Sequence, residues 1–388
     1  MTGDKTTGAG FPATARAQAA HGAKEIQMVA EAAAEFAAGQ LTPDREANDR
    51  YPYGPFFSDV VQKAFDLDFF HLMLPEALNG MQMGASALAV VLENICRADS
   101  SLGGIIFTTV AAQQLMQHAG STDHLERICA GESANDFLVA LPVFNNPSEV
   151  KHLAEAWTAG GRYLLSGQME YMVLGGLARH ALVPAQREGA EGFSYFLVDL
   201  EDAGIRKSDS ILSLGLRACP AVDLELVQVE GMPVGREGEG AFYFDKMADR
   251  LHAAAAAMSL GVMKGSFSQA LEYARRREQG GQPIIRWSEV KMILANMAVK
   301  ISNAEMVVAQ ACAAVDGRIA GWQARSRAAA LHVQEMACHV TTDGIQVLGG
   351  VGYMKDFGQE KRFRDAKQLQ ALMGIAPVKK IKFLDAMR

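Results

Sequence analysis

The sequence has no uninterrupted apolar run of the roughly 18–20 residues that a membrane-spanning helix needs, so we expect no transmembrane segment. Its N-terminus lacks the apolar core of a secretory signal, and we expect residues 1–22 to form a flexible leader. The five cysteines are scattered, odd in number and without the paired spacing of a metal site. These absences argue against a disulfide-stabilised secreted protein and predict buried free thiols in a reducing, cytoplasmic setting.

Positive charge is in deficit as well. The chain carries 37 lysines and arginines against 44 aspartates and glutamates, a formal net charge of −7. Such a balance argues against nucleic acid or an anionic membrane surface as the main partner. What the chain does have is an ordinary soluble composition, with 49% apolar and 21% charged residues. Its 388 residues are enough for two or three domains with a large buried core.

The pattern of apolar residues changes twice along the chain. From residue 23 to 135, apolar residues recur at helical spacing, which predicts an N-terminal helical domain. Between 136 and 243, short apolar or alternating runs separated by Gly, Pro and Asn predict a small antiparallel β-barrel or sandwich. From 244 to 388, long Ala- and Met-rich periods predict a four-helix bundle, with its last helix over 367–387. The predicted fold class is therefore a multidomain α+β protein.

Several short motifs follow one another along this chain. The segment at 343–374 reads DGIQVLGGVGYMKDFGQEKRFRDAKQLQALMG, with a glycine pair, a Gly-Tyr pair and an Arg-Asp-Ala-Lys run. Upstream, LPEALNG at 74–80 is a turn-rich joint, and LGLRACP at 214–220 is followed by an apolar run and Gly-Glu-Gly. In this order, the motifs resemble the acyl-CoA dehydrogenase family over essentially the whole chain after the leader. The resemblance implies N-terminal helices, a central β-barrel and a C-terminal helical bundle.

The resemblance also implies a chemistry, and the chain departs from it at one position. Members of the family oxidise the Cα–Cβ bond of a CoA thioester: a base takes the Cα proton while a hydride leaves Cβ for FAD. The base is usually a glutamate just after the Arg-Asp-Ala-Lys run, where this chain has Met373. Methionine cannot accept a proton, but its backbone N–H can still donate to the thioester oxygen. The plainer interpretation is that Met373 packs the pocket floor.

A second position can supply the missing base. Some members of the family carry the base in a Glu-Arg-Leu run at the start of the first long C-terminal helix, and this chain has Asp249-Arg250-Leu251 there. We therefore expect Asp249 as the candidate base and Arg250 as a substrate contact. Burial against an acyl chain would raise the pKa of Asp249, whereas the charge of Arg250 would lower it. The plainer interpretation is a solvated Asp in the first turn of a helix.

The positions that the resemblance assigns to the flavin ring are altered. A Trp-x-Thr element contacts the ring in the family, and Tyr171-Met172-Val173 stands in its place. Tyr171 can still stack on a flavin, but Val173 offers no hydroxyl to its N5 atom. The family's Thr-Glu-Pro-x-Ala-Gly-Ser loop corresponds to LPVFNNPS at 141–148, which keeps almost none of those side chains. A plain barrel strand is an equally good interpretation of this stretch.

The positions that the resemblance assigns to the rest of FAD are better kept. Arg277 matches an arginine that binds the diphosphate of the FAD held by the neighbouring subunit, a role suited to its bidentate guanidinium. Gln346, Gly349 and Gly350 match residues that let the backbone approach the adenosine half, since glycine carries no Cβ. The plainer interpretations are a solvated basic helix end for Arg277 and a helix C-cap for the glycines.

The resemblance predicts an FAD-dependent acyl-CoA dehydrogenase that passes electrons to an electron-transferring flavoprotein. It implies a homodimer or homotetramer with FAD held between subunits, and pairing with a paralogue is equally consistent. Two alternatives stay open. The loss of the glutamate, the Trp-x-Thr element and the Thr-Glu-Pro loop favours a non-catalytic subunit that pairs with a catalytic paralogue. The other alternative is a flavoenzyme of the same fold with different chemistry.

Overall fold

The computed structural model describes residues 13–144, 146–149, 153–385 and 387. The helices are α1 (Ala13–Phe36), α2 (Arg45–Asn48), α3 (Gln62–Asp66), α4 (Ala85–Ala98), α5 (Ser100–His118), α6 (Thr122–Cys129), α7 (Ala134–Phe137), α8 (Gly240–Arg276), α9 (Ser288–Asp316), α10 (Trp322–Leu348), α11 (Gln359–Leu369) and α12 (Ala376–Asp385). The strands are β1 (Val139–Ala140), β2 (Ala154–Ala159), β3 (Arg162–Val173), β4 (His180–Arg187), β5 (Ser194–Asp199), β6 (Ile205–Lys207), β7 (Ala221–Val234), β8 (Glu278–Gln279) and β9 (Gln282–Pro283). Helices, a sheet and helices again follow in chain order, so the predicted fold class is confirmed.

The first helix begins earlier than the sequence pattern suggests. Residues 1–12 of the predicted leader lie outside the described residues, but α1 starts at Ala13, inside the predicted 1–22 segment. The extension from 13 to 22 contains five alanines, and alanine has the highest intrinsic helix propensity. The prediction of a leader over the whole of 1–22 is therefore wrong for its last ten residues.

The central sheet closes into a small barrel. Strand β4 pairs with β2 and with β5, β5 pairs with β7, β7 with β3 and β3 with β2, so five strands form a ring. Strands β1 and β6 add to this ring at β4 and β7. Most pairings are antiparallel as predicted, but β4 pairs in parallel with both β1 and β2. A ring without free edges buries its backbone polar groups in pairs.

Helix α8 is the central helix of the C-terminal half. It packs against α4, α5, α9 and α10, and its residues 253–257, all alanine, are fully buried. Small side chains allow close approach: a Cβ on Gly261 would lie 2.3 Å from the backbone oxygen of Glu93 on α4. The long helix predicted over 367–387 is wrong. Residues 370–375 separate α11 from α12, because Met373 and Gly374 have φ of 60° and 109°, which a right-handed helix cannot contain.

The Arg-Asp-Ala-Lys run joins the barrel to the bundle. Asp365 accepts a hydrogen bond from the Leu216 N–H at 2.8 Å, and Arg364 donates to the Leu214 carbonyl at 3.0 Å. Gly215 lies directly beneath: a Cβ there would be 2.4 Å from the Arg364 carbonyl oxygen. The run therefore fixes where the segment carrying Met373 leaves α11.

One helix among the described residues, α9, is long and apolar enough to cross a membrane by length and composition alone. Only 28% of its most apolar window is buried, and Lys300 and Glu305 interrupt its apolar residues. Core helices of soluble proteins pass the same test, so this feature is weak support for a membrane segment.

Candidate active site

The buried carboxylate of Asp249 lies near the start of α8 and is paired. Asp249 is 8% exposed, and its Oδ1 accepts a hydrogen bond from Arg327 Nε on α10 at 2.5 Å. Burial raises the pKa of Asp249 above its usual value, and the hydrogen bond and charge of Arg327 partly oppose that rise. Asp249 is therefore a buried carboxylate paired with Arg327, in contrast to the solvated helix-start Asp of the plainer interpretation.

Arg250 faces another direction. Successive residues of a helix point about 100° apart, so Arg250 cannot share the face of Asp249. Its charged group lies near Asp316 and Arg318 at the end of α9, and burial lowers its pKa. In this structure Arg250 does not line the cavity beside Met373.

A small cavity lies beside Met373, between α8, α10 and α12. Its volume is about 20 Å³, which is space for one water molecule. Its walls are Asn146, Glu149, Phe244, Asp245, Ala248, His252, Arg327, Leu331, Met373, Gly374, Val378, Lys379 and Lys382. Asp249 does not line this cavity, and Arg327, which does, connects it to the Asp249 carboxylate.

The backbone at Met373 is both strained and already bonded. Its φ of 60° lies in the left-handed region, which costs a side-chain-bearing residue roughly 1–2 kcal/mol. The Met373 N–H donates to the Val143 carbonyl at 2.8 Å. In this conformation the N–H is therefore engaged by the 141–149 loop and does not point at an open site for a thioester oxygen. Left-handed side-chain-bearing residues cluster at functional sites, and Tyr171, with φ of 55°, is another one.

His252 and Lys379 are titratable residues of the cavity that were not predicted as site residues. His252 lines the cavity, is 6% exposed, and its buried Nδ1 has no hydrogen-bond partner among the described residues. Burial, and then the charges of Lys379 and Arg327, hold the pKa of His252 well below its usual value, so it is neutral at pH 7. Lys379 donates to Gln334 and to two backbone carbonyls, and burial lowers its pKa to about 8. The position of His252 one turn after Asp249 was the only signal in the sequence.

The residues predicted to contact the flavin ring are covered by the same loop. Val173 is fully buried, and its carbonyl accepts from the Leu141 N–H at 3.1 Å. The Tyr171 hydroxyl is 2.5 Å from Ser213 Oγ and accepts from Gln368 at 2.9 Å. The ring of Phe144 packs edge-on against Tyr171, with centroids 5.9 Å apart. In this conformation Val173 is fully buried, whereas Tyr171 is partly exposed with the Phe144 ring against it.

The other predicted cofactor residues do come together. Arg277, Gln346, Gly349 and Gly350 all line one open cavity of about 740 Å³, between the C-terminal ends of α8 and α10. Nothing lies within 4 Å of where a Cβ on either glycine would be, so this stretch of backbone is accessible. Trp287 forms an apolar wall of the cavity and donates its indole N–H to the Gln279 carbonyl at 3.2 Å.

Comparisons with known proteins identify the family. The profile described as "Acyl-CoA dehydrogenase, N-terminal domain" matches residues 23–132, and that described as "Acyl-CoA dehydrogenase, C-terminal domain" matches residues 238–380. The chain belongs to the acyl-CoA dehydrogenase family. The predicted resemblance is thereby confirmed.

Individual relatives align along nearly their whole length. Cyclohexane-1-carbonyl-CoA dehydrogenase of Geobacter metallireducens is 27% identical, with 92% of this chain and 96% of the relative covered. The caffeyl-CoA reductase-Etf complex subunit CarC of Acetobacterium woodii is 23% identical over 92% of this chain and 97% of its own. Among solved structures, butyryl-CoA dehydrogenase from Megasphaera elsdenii superposes with a TM-score of 0.84 at 20% identity, covering 93% of this chain and 97% of that one. This last likeness shows the fold.

Family membership makes the chain an acyl-CoA dehydrogenase-type oxidoreductase and indicates FAD as its cofactor. The 740 Å³ cavity fits one half of that cofactor: Arg277 suits a diphosphate, the Gln346 amide suits polar atoms, and the bare glycine backbone allows close approach. Around Tyr171 and Val173, the contact of Phe144 with Tyr171 and the burial of Val173 do not fit a flavin ring in this conformation.

Proposed function

We propose that this chain is an FAD-dependent oxidoreductase that removes hydrogen across the Cα–Cβ bond of an acyl-CoA thioester. The observation that carries the proposal is the 740 Å³ cavity, which is lined by both Arg277 and the 346–350 segment that the family resemblance assigns to FAD. Relatives that are a cyclohexane-1-carbonyl-CoA dehydrogenase and a subunit of an Etf complex support an acyl-CoA substrate and an electron-transferring flavoprotein as acceptor. We also propose a cytoplasmic homodimer or homotetramer, because in the family each FAD is held between two subunits.

The proposed base is Asp249. Bound FAD would supply the acceptor for the hydride that leaves Cβ. Asp249 then has to take the Cα proton, for which its buried setting is suitable because burial raises its pKa. In this structure Arg327 Nε donates a hydrogen bond to Asp249 Oδ1 at 2.5 Å. For Asp249 to act as the base, the substrate has to displace that guanidinium or give up its proton to the second carboxylate oxygen. Met373, with no acid–base group, would serve as packing against the acyl chain.

Replacement of Asp249 by Asn tests the assignment of the base. On protein saturated with FAD and mixed anaerobically with acyl-CoA, Asp249→Asn should slow flavin reduction by about 10²–10⁴-fold, the usual contribution of general-base assistance. FAD affinity should not change. Asp123→Asn, the same change at an exposed residue of α6, is the matched control and should reduce flavin at the wild-type rate. Wild-type reduction rates in Asp249→Asn with a confirmed substrate would remove Asp249 from the mechanism.

A second function, a non-catalytic subunit paired with a catalytic paralogue, is favoured by one specific contact. The Met373 N–H to Val143 carbonyl bond closes the region where flavin ring and thioester would meet, and leaves about 20 Å³ there. If that closure persists, FAD added to the purified chain stays unreduced with every acyl-CoA. Reduction by any acyl-CoA would instead require the 141–149 loop to open.

A further inference from the structure

Three arginines converge on a cavity that is separate from the proposed active site. The cavity has a volume of about 280 Å³ and lies between α1, the end of α4, the middle of α8 and α11. Arg45, Arg97 and Arg362 line it, together with Asn94, Ser268 and Gln269. It shares no lining residue with the cavity at Arg277 or with the one at Met373.

Arg362 is the most deeply buried of the three. It is 6% exposed, its Nε has no hydrogen-bond partner among the described residues, and its Nη1 donates only weakly, at 3.3 Å, to the Gly358 carbonyl. Gly265 on α8 makes room for it, because a Cβ at that position would lie 2.7 Å from Arg362 Nε. Guanidinium groups at this depth normally have a carboxylate or another anion beside them.

Arg45 adds a second cation to the same place. Its Nε is likewise buried without a hydrogen-bond partner among the described residues. Measured from the point where a Cβ on Gly358 would be, Arg45 Nη1 is 2.8 Å away and Arg362 Nη1 is 3.6 Å away, so the two guanidinium groups are neighbours. Burial, followed by the charge of Arg45, lowers the pKa of Arg362 to about 9. Two adjacent buried cations repel each other unless an anion lies between them.

The two buried carboxylates nearby share one lysine, and Asp99 Oδ2 has no hydrogen-bond partner among the described residues. Lys361 Nζ is 3.3 Å from Asp99 and 2.8 Å from Asp365, so these two acids, which also attract Arg362, share a buried lysine. Glu272 lines the cavity but pairs with Arg276 at 2.8 Å. Arg97, at the exposed side, donates to Ser268 Oγ at 3.1 Å. The cavity therefore has more positive than negative charge directed into it.

We propose that this cavity is a binding site for a phosphate-sized oxyanion, either inorganic phosphate or the phosphoryl group of a small metabolite. Planar guanidinium groups bind such oxygens through paired, charge-assisted hydrogen bonds. The unpartnered Nε atoms of Arg45 and Arg362 are the donors for this ligand, with Arg97 at the entrance. The ligand would separate the two guanidinium groups and connect residues 37–41 and α2 to α11.

Calorimetric titration of the full, FAD-saturated chain with sodium phosphate tests this proposal, because saturating FAD removes Arg277 as a competing phosphate contact. We expect saturable binding, and an upward shift of the unfolding temperature that sodium chloride at the same ionic strength does not give. Arg362→Met should weaken phosphate binding at least about tenfold, the loss expected for a hydrogen bond to a charged group. Because it removes an uncompensated buried charge, Arg362→Met should fold at least as well as the wild type without phosphate.

Arg45→Gln is a second variant, for which we expect the same loss of phosphate affinity. Arg45 is less buried than Arg362, so its replacement disturbs the core less. Arg275→Met, at an exposed arginine of α8 that lines neither this cavity nor the one at Arg277, is the matched control and should bind phosphate like the wild type. Tighter binding of glycerol 3-phosphate than of phosphate would identify the phosphoryl group of a metabolite as the ligand; the reverse order would identify the free ion. Equal effects of phosphate and chloride, or unchanged binding in both Arg362→Met and Arg45→Gln, would overturn the proposal.

Discussion

Arg327→Gln tests the proposed base, Asp249, by removing the charge of the arginine that is hydrogen-bonded to it. In the structure Arg327 Nε lies 2.5 Å from Asp249 Oδ1, and the two side chains are 17% and 11% exposed. Glutamine keeps a hydrogen-bond donor but removes the positive charge. The variant therefore leaves Asp249 in place while changing the electrostatic environment of its carboxylate.

The expected cost in stability follows from that burial. Breaking a buried ion pair by removing one partner costs about 3–5 kcal/mol. We expect about 3 kcal/mol here, because the pair is partly exposed to solvent and the glutamine side chain still donates a hydrogen bond. With about 2.1 cal/mol/K of unfolding entropy per residue, the 388-residue chain has roughly 0.8 kcal/mol/K. The unfolding temperature of Arg327→Gln should therefore fall by about 4 °C. Arg325→Gln, at an exposed residue of the same helix, should leave it unchanged.

The pH dependence separates a base from a purely structural carboxylate. Burial raises the folded-state pKa of Asp249, and Arg327 opposes that rise, so Arg327→Gln should raise the pKa further. When the rate of flavin reduction is plotted against pH, its fall on the acid side (the acid limb) should occur at a higher pH in the variant. For stability, a raised folded-state pKa means that the contribution of Asp249 is fully present below its unfolded pKa and is lost as pH rises through the folded one. Lower stability with an unmoved acid limb would refute the base assignment.

Two further predictions concern the cofactor and the junction between domains. Arg277→Ala should weaken FAD binding by about 1.5–3 kcal/mol, measured by fluorescence titration, because it removes a charge-assisted contact to the diphosphate; Arg276→Ala is the control, and equal affinities in both would contradict the assignment. Gly215→Ala should destabilise the chain by about 1–3 kcal/mol in urea unfolding, since its Cβ would lie 2.4 Å from the Arg364 carbonyl oxygen. Gly39→Ala, with open space around the new Cβ, should cause no loss, and a similar loss there would count against the packing argument.

The order of the three domains, helical, β and helical, could be predicted from sequence because it depends on local apolar periodicity. The short apolar runs of residues 136–243 predicted the central β-domain, in which β1 to β7 lie, although the sequence of β2, AEAWTA, has only a weak alternation. The break between α11 and α12 was missed. It depends on the left-handed backbone of Met373, a residue type that rarely adopts this conformation without tertiary contacts.

The candidate site, like the fold, could be predicted only in part. Arg277, Gln346 and the glycine pair were assigned to one cofactor by the family resemblance, and they do line one cavity. The closure of the other half could not be predicted. It depends on the bond between the Met373 N–H and the Val143 carbonyl, which joins residues 230 positions apart in sequence. The partner of Asp249, Arg327, was missed for the same reason, since 78 residues separate them.

The most direct test of the proposed function is anaerobic titration of the FAD-saturated protein with a panel of straight, branched and cyclic acyl-CoA thioesters, following the visible absorbance of the flavin. An FAD-dependent acyl-CoA oxidoreductase predicts saturable FAD binding and loss of the oxidised flavin bands with at least one thioester. Failure to bind FAD, or bound FAD that no thioester in the panel reduces, would contradict it.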